Sequence, residues 1–406
     1  MSTDRTLVLH AVTDSISTVL MRGQLAYLRE HGFMPAVLAS PGEELTRIGV
    51  IERIPVFAVA MKREISPLRD IQSLVNVWRL LRRVRPVVCN FGTPKAGLLA
   101  GLAAWLTRVP CRVYTLRGLR LETATGTRRI LLTFTEKIAC ACAHHVICVS
   151  PSLRAKAVDL GLVPQVKTVV LGAGSSNGVD TGRFARTPGR LAEAVALRRS
   201  LGIRDNQFVI GFAARFTRDK GITELIVAFQ SVRKIFPDAV LLLVGEYEAG
   251  DPVPECVKQT VVQDAGILWV CSTSQIEQYY FAMNLFVLPT HREGMPNTIL
   301  EAQAAGLPVV TTDATGARDA IENNVTGLLT PVGDVSKLAE AIRTLLSNPP
   351  RMQRMGQLGR DRVCSLFRKE TAWESLLSFY KSLLAERGCS LAETRAEVLK
   401  QCVTPP

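Results

Sequence analysis

What most constrains this chain is a rhythm: short, wholly apolar runs alternate with amphipathic stretches, the pattern breaks once, and then it starts again. TLVLHA (6–11), PAVLAS (35–40), IPVFAVA (54–60), PVVCN (86–90), CRVYTL (111–116) and HVICVS (145–150) have the length and composition of strands. Between them lie helical patterns at 19–31, at DIQSLVNVWRLLRRV (70–84) and around ILLTFTEKIACA (130–141). Strands apolar on both faces belong to parallel sheets covered by helices, because the β-α-β crossover lays a helix over each face. The stretch LGAGSSNGVDTGRFARTPGR (171–190) has no period and reads as a linker. The rhythm resumes with FVIGFAARF (208–216), a helix at 222–235, AVLLLVG, GILWVC, LFVLPT, LPVVTT and GLLTP. The expected organisation is a first α/β domain at 1–172, a linker at 173–205 and a second α/β domain at 206–350. Terminal helices at 351–406 are expected to return toward the first domain. Ligands of such sheets bind beyond the carboxyl ends of the strands, so the two sets of ends are expected to face one cleft.

Composition narrows the class. With 406 residues, two domains are the default. Apolar residues at 47% with aromatics at only 6% suit α/β layers better than an aromatic-rich sandwich. The opening MSTDRTLVLHAV lacks the basic-then-apolar pattern of a secretory leader. LLAGLAAWL (98–106) is half the length that spans a bilayer and reads as a core helix. The ten cysteines include no C-x-x-C, and Cys140 and Cys142 have poor metal spacing, so reduced thiols in the cytoplasm are expected. Residues 60–140 hold 15 Lys and Arg against four acidic residues, nearly all of the net +13. Such a local excess points to an anionic partner, with a merely solubilising face as the plain alternative.

Three motifs follow strands directly. In VLPTHREGMPNTILEAQAAG, a polar turn with His291, Arg292 and Glu293 leads through Gly294, Met295, Pro296 and Asn297 into a helix bearing Glu301. Exposed amides at such a helix start bind phosphate. In GFAARFTRDKG, Arg215 ends a strand and Lys220 opens the next helix, an anion-attracting corner sized for a diphosphate. Gly245 ends another strand, where a glycine permits close approach of a ligand.

Together these residues resemble glycosyltransferase family 4, the retaining enzymes with the GT-B double-Rossmann fold. Glu293 and Glu301 match the family's E-x7-E, and Arg215 with Lys220-Gly221 matches its Arg…Lys-Gly pair. TPKAG (93–97), TLRGLR (115–120), VICVSPSLR and LGAGSSNGVD look like the branch that builds bacterial capsule, exopolysaccharide and lipid-linked oligosaccharides. The resemblance implies a hexosyltransferase moving a sugar, with N-acetylhexosamine suggested by the branch, from a UDP-sugar to a lipid-linked saccharide. Arg215 and Lys220 would then hold the diphosphate, Glu293 would touch the sugar, and Glu301 would bind the ribose. Gly294 to Asn297, Gly245 and the Thr13-Asp14-Ser15 turn would line the donor. Lys95, Arg117 and Arg120 would serve the acceptor or phosphate side.

Two departures stand out: many relatives carry Gly-Gly where this chain has Thr13-Asp14-Ser15, and histidine where it has Arg117. With no D-x-D in the chain, neither metal nor cofactor is expected beyond the co-substrate. His10 reads as a core residue, and His144 and His145 carry no pattern. The implied location is the inner face of the cell membrane, held peripherally on anionic lipid. Rival readings are a UDP-sugar epimerase of similar fold, and a protein binding nucleic acid or another anionic surface. Scarce aromatics disfavour nucleic acid, so it is not an expected partner.

Overall fold

A computed structural model describes residues 5–62, 66–248 and 250–389. It divides into two compact units, 1–178 with 369–406, and 179–368. The first holds seven strands: β1 (Thr6–Ala11), β2 (Phe33–Ala39), β3 (Val56–Ala58), β4 (Val88–Phe91), β5 (Cys111–Leu116), β6 (His145–Cys148) and β7 (Thr168–Val169). Their order is β3-β2-β1-β4-β5-β6-β7, and every pairing is parallel. All six residues of β1 are buried, the consequence of an apolar run covered on both faces.

The second unit holds β8 (Val209–Ala213), β9 (Val240–Val244), β10 (Ile267–Val270), β11 (Leu285–Leu288), β12 (Val309–Thr312) and β13 (Gly327–Thr330). Their order is β10-β9-β8-β11-β12-β13, again wholly parallel. Each sheet thus reverses direction once, between β1 and β4 and between β8 and β11. Such switch points leave a crevice at the carboxyl ends of the strands. These are the two Rossmann-like sheets that the rhythm predicts.

The boundaries differ from expectation in three places. Residues 173–205 are not a continuous linker, for Pro188–Ser200 is an α-helix of the second unit. Thr187 caps it by accepting from Arg190 N, and Pro188 suits its first turn, signals hidden by the surrounding Gly and Arg. The helix Pro349–Leu366 stays with the second unit, and only the helix Lys369–Glu386 joins the first. That helix buries Leu376, Leu377, Tyr380, Leu383 and Leu384 against Val8, Phe33, Val88 and Cys111, each worth roughly 1.5–3 kcal/mol of removed apolar surface. Expectations for 390–406 lie outside the described residues. The helix predicted at 19–31 is interrupted at Gly23, giving a 3-10 turn Ser15–Met21 and a helix Gln24–Glu30. Among the described residues, no helix is long and apolar enough to cross a membrane.

Candidate active site

The turns after β8, β9, β11 and β12 meet at the carboxyl edge of the second sheet, and two glycines explain how closely. Gly221 has φ +73, and a Cβ there would lie 1.9 Å from the Pro289 carbonyl oxygen. Only glycine lets the 3-10 turn Arg218–Lys220 rest on the backbone that enters the Thr290–Glu293 turn. Asp219 O accepts from His291 N at 2.8 Å and from Thr290 Oγ1 at 2.9 Å, and Glu293 N donates to Thr315 O at 2.9 Å. Gly245 has φ +151, and its Cβ would sit 1.9 Å from Ala214 O. The space beside it is taken by the turn leading to Arg215, whose close approach accounts for this glycine.

These contacts bring the predicted cations and carboxylates together. Lys220 Nζ forms an ion pair with Glu293, both side chains being mostly buried. Arg215 pairs with Glu248 and stays 64% exposed, so it remains open to a ligand. Arg292 pairs with Asp219, and Arg218 Nε meets Asp251 Oδ1 at 3.1 Å. Glu301 lies on the helix Asn297–Ala304 and faces another partner: Tyr280 OH donates to its Oε2 at 3.1 Å. Burial pushes the Glu301 carboxyl up to about 7, against the pull of the Tyr280 bond and the Arg183 charge. Glu293 and Glu301 are therefore in different settings, one an ion pair in a turn, the other a desolvated carboxyl on a helix. Gly294, Met295 and Pro296 are buried between them. Asn297 opens the helix, its Oδ1 buried without a hydrogen-bond partner. Tyr280 and Glu248 escaped sequence reasoning, since the second tyrosine of QYYFAM and the second glutamate of GEYEAG carry no motif.

In the first unit, Thr13 stitches two strand ends rather than standing free. Its N donates to Thr93 Oγ1 at 2.9 Å, and its Oγ1 accepts from Ala96 N at 3.1 Å. Asp14 Oδ1 accepts from Ile16 N at 3.1 Å, capping the 3-10 turn that begins at Ser15. Lys95 pairs with Asp70 at 2.8 Å, both nearly buried, so its charge is already balanced. Arg120 is exposed at the start of a short 3-10 turn. Arg117 Nε donates to Gly92 O at 3.0 Å.

The helices Pro67–Val84 and Gly126–Cys142 follow β3 and β5, so their N-terminal halves share one edge of the parallel sheet. Leu68, Ile71, Ile130 and Phe134 are exposed there, among the exposed cations Lys62, Arg69, Arg128 and Arg129.

Two parallel sheets whose strand-end turns carry E-x7-E and Arg…Lys-Gly define a GT-B sugar transferase, and comparison with known proteins agrees. The family model "Glycosyl transferases group 1" matches residues 195–362, and "Glycosyl transferase 4-like domain" matches 17–174. The chain belongs to glycosyltransferase family 4 and is a hexosyltransferase. It is 37% identical to the capsular polysaccharide biosynthesis glycosyltransferase CapM of Staphylococcus aureus, over 93% of this chain and 98% of that one. It is 27% identical to the Escherichia coli UDP-Gal:alpha-D-GlcNAc-diphosphoundecaprenol alpha-1,3-galactosyltransferase, over 70% of this chain and 73% of that one. Among solved structures, Anabaena Alr3699/HepE in complex with UDP-glucose shares the fold at a TM-score of 0.76 and 20% identity, over 93% of this chain and 99% of that one.

Proposed function

We propose that this enzyme transfers a sugar from a UDP-sugar to a lipid-linked saccharide, with retention of configuration, in cell-surface polysaccharide synthesis. The observation that carries the reading is the Lys220–Glu293 pair, held at the carboxyl edge by the Gly221–Pro289 contact. Breaking a glycosyl–phosphate bond leaves negative charge on the diphosphate and positive charge on the sugar. Lys220 and Arg215 stabilise the first, and the Glu293 carboxylate answers the second. Preorganised charges of this kind are the largest catalytic term available, and they require no carboxylate nucleophile. Glu301, beside Tyr280, supplies acceptor oxygens for the ribose hydroxyls. With cations already at the diphosphate, the reaction needs neither metal nor cofactor.

Support for donor and acceptor comes from the relatives: HepE was crystallised with UDP-glucose, and the name of the Escherichia coli enzyme includes a diphosphoundecaprenol-linked acceptor. The exposed apolar and basic residues at one edge of the first sheet support docking on an anionic membrane. The test is a UDP-sugar panel, including UDP-N-acetylhexosamines, scored by UDP release with and without a polyprenyl-diphosphate-linked saccharide. Product anomers are read by NMR, and EDTA is added in parallel. Acceptor-dependent release, a retained anomer and indifference to EDTA are expected. Epimer formation without transfer, or an inverted product, would overturn the reading.

A further inference from the structure

A charge turned away from water needs a counter-charge, and among the described residues Arg117 has no carboxylate partner. It follows β5, and its Nε donates to Gly92 O just after β4, so the side chain reaches the switch point between β1 and β4, beside His10 on β1, Asn90 on β4 and Thr115 on β5. Arg117 Nη1 is buried and lacks a hydrogen-bond partner, and so does Nε2 of His10, a residue only 3% exposed. The ionisable groups acting on Arg117 are the phenols of Tyr380 and Tyr114, neither of them a carboxylate. Burial lowers the guanidinium only to about 10, so the charge persists, while burial and that charge push His10 down to about 3 and keep it neutral. An uncompensated cation in a desolvated place is expensive unless an anion arrives.

Both residues line a cavity of about 30 Å³, bordered by Gly174, Ser175 and Ser176 and by Ala372 and Leu376 of the C-terminal helix. Two of its other polar groups are already engaged: Thr115 Oγ1 donates to Asn90 Oδ1 at 2.8 Å, and Asn90 Nδ2 donates to Tyr380 OH at 2.7 Å. Ser175 has φ +86, a strained conformation for a residue with a side chain, and such strain gathers at ligand sites. The cavity has room for about two waters, the size of a carboxylate group. A planar guanidinium fits a carboxylate through two parallel N–H bonds.

We propose that this cavity receives the carboxylate of an acidic sugar, so that Arg117 selects a hexuronate-type substrate over its neutral counterpart. The inference rests on the sugar-transfer reading above and adds the substrate's charge. Titration calorimetry tests it in two arms with the full-length protein. UDP-glucuronate against UDP-glucose asks about the donor. Methyl glucuronide against methyl glucoside, with UDP present, asks about the acceptor.

In one arm the acidic member should bind roughly 10- to 100-fold more tightly, as a charge-assisted bond provides. Arg117→Met should abolish that preference and Arg117→Lys should keep part of it. Ligand-free Arg117→Met should also melt at a higher temperature, because an unbalanced charge has left the interior. Equal binding of acidic and neutral members in both arms, a preference that survives in Arg117→Met, or a lower melting temperature of that variant would overturn the proposal. In the first two cases UDP-sugar binding, and the proposed function with it, would stand. If neither nucleotide sugar binds the wild type, the donor assignment falls and this proposal falls with it.

Discussion

The two carboxyl edges handle positive charge in opposite ways. In the second unit the motif cations are matched by carboxylates: Arg215 by Glu248, Lys220 by Glu293, Arg218 by Asp251 and Arg292 by Asp219. In the first, Lys95 is matched by Asp70, but Arg117, its Nη1 buried, lies beside neutral His10 with no carboxylate partner among the described residues. A matched cation is held in place before the ligand comes and can shift part of its pairing to a diphosphate. An unmatched, desolvated cation waits for an anion of one size. The first arrangement suits a charge that grows during a reaction, the second a charge that is only recognised.

The most forceful way to break this contrast is at Lys220. If the matched pairs hold charge that develops on the leaving diphosphate, Lys220→Ala should lose about 10²–10³ in turnover at saturating donor. Arg215→Lys should also fail, since an ammonium cannot make a two-pronged phosphate contact. Single-turnover transfer, with thermal melting as the folding control, decides it. Near-normal turnover in intact protein would move the chemistry elsewhere.

The two glutamates sharpen the contrast further. Glu293→Gln should lower turnover more than donor affinity, and Glu301→Gln should chiefly raise KM for the donor. Glu301 adds a pH signature of definite sign. Its folded value, about 7, lies above the ordinary 4.5, so the folded protein binds more protons between those pH values. Its contribution to stability is then greatest below pH 4.5 and is lost as pH rises through 7. Glu301→Gln should therefore melt higher than wild type at pH 8, and the gap should close at pH 4.5. A variant less stable at pH 8 would mean the carboxylate is well paired rather than desolvated.

Much of this was legible in the sequence, for identifiable reasons. Apolar runs such as TLVLHA and LFVLPT, short and set between turns, suit covered parallel strands, so both sheets could be read. Arg215, Lys220, Glu293 and Glu301 were legible because their spacing is fixed by turns after strands. The helix Pro188–Ser200 was hidden because few of its residues face a core: Ala194 alone is fully buried. The pairings were hidden because they join turns far apart in the chain. Glu248 is 33 residues from Arg215, and Tyr280 is 21 from Glu301. Gly245 has a second reason to be glycine that no spacing reveals, the closeness of the Ala214 backbone.

A third comparison separates charge that binds substrate from charge that binds a surface. The protein should bind vesicles containing anionic lipid and ignore neutral ones, each well-placed cation contributing up to about 1 kcal/mol. Raised salt should release it. Ile130→Ser with Phe134→Ser should weaken vesicle binding while UDP-sugar affinity is unchanged. Equal binding to neutral and anionic vesicles would remove the basic edge from the account.

The smallest expected effect lies within the matched set itself, at His291. Its Nε2 meets Glu224 Oε1 at 2.7 Å, across from the Lys220–Glu293 pair in the same turn. The Glu224 bond raises the imidazole above its ordinary 6.5, and the carboxyl, against the upward push of burial, is held below its ordinary 4.5 by the His291 and backbone hydrogen bonds. The signs differ for the two partners. The histidine's contribution is complete below pH 6.5 and is lost as pH rises through its raised value. The glutamate's is present above pH 4.5 and is lost as pH falls through its lowered value. Together they stabilise most between pH 4.5 and 6.5, by about 0.2–1 kcal/mol for a pair that is still partly solvated. His291→Gln should therefore narrow the melting-temperature difference between pH 6 and pH 9, since the neutral amide keeps a hydrogen bond and loses only the titrating charge. Turnover should change far less than in Lys220→Ala, because this pair braces the turn and the proposed mechanism gives it no contact with the leaving phosphate. A pH-independent loss of stability in His291→Gln would show that the contact is packing alone. The matched charges would then be fewer, and the contrast between the two edges smaller.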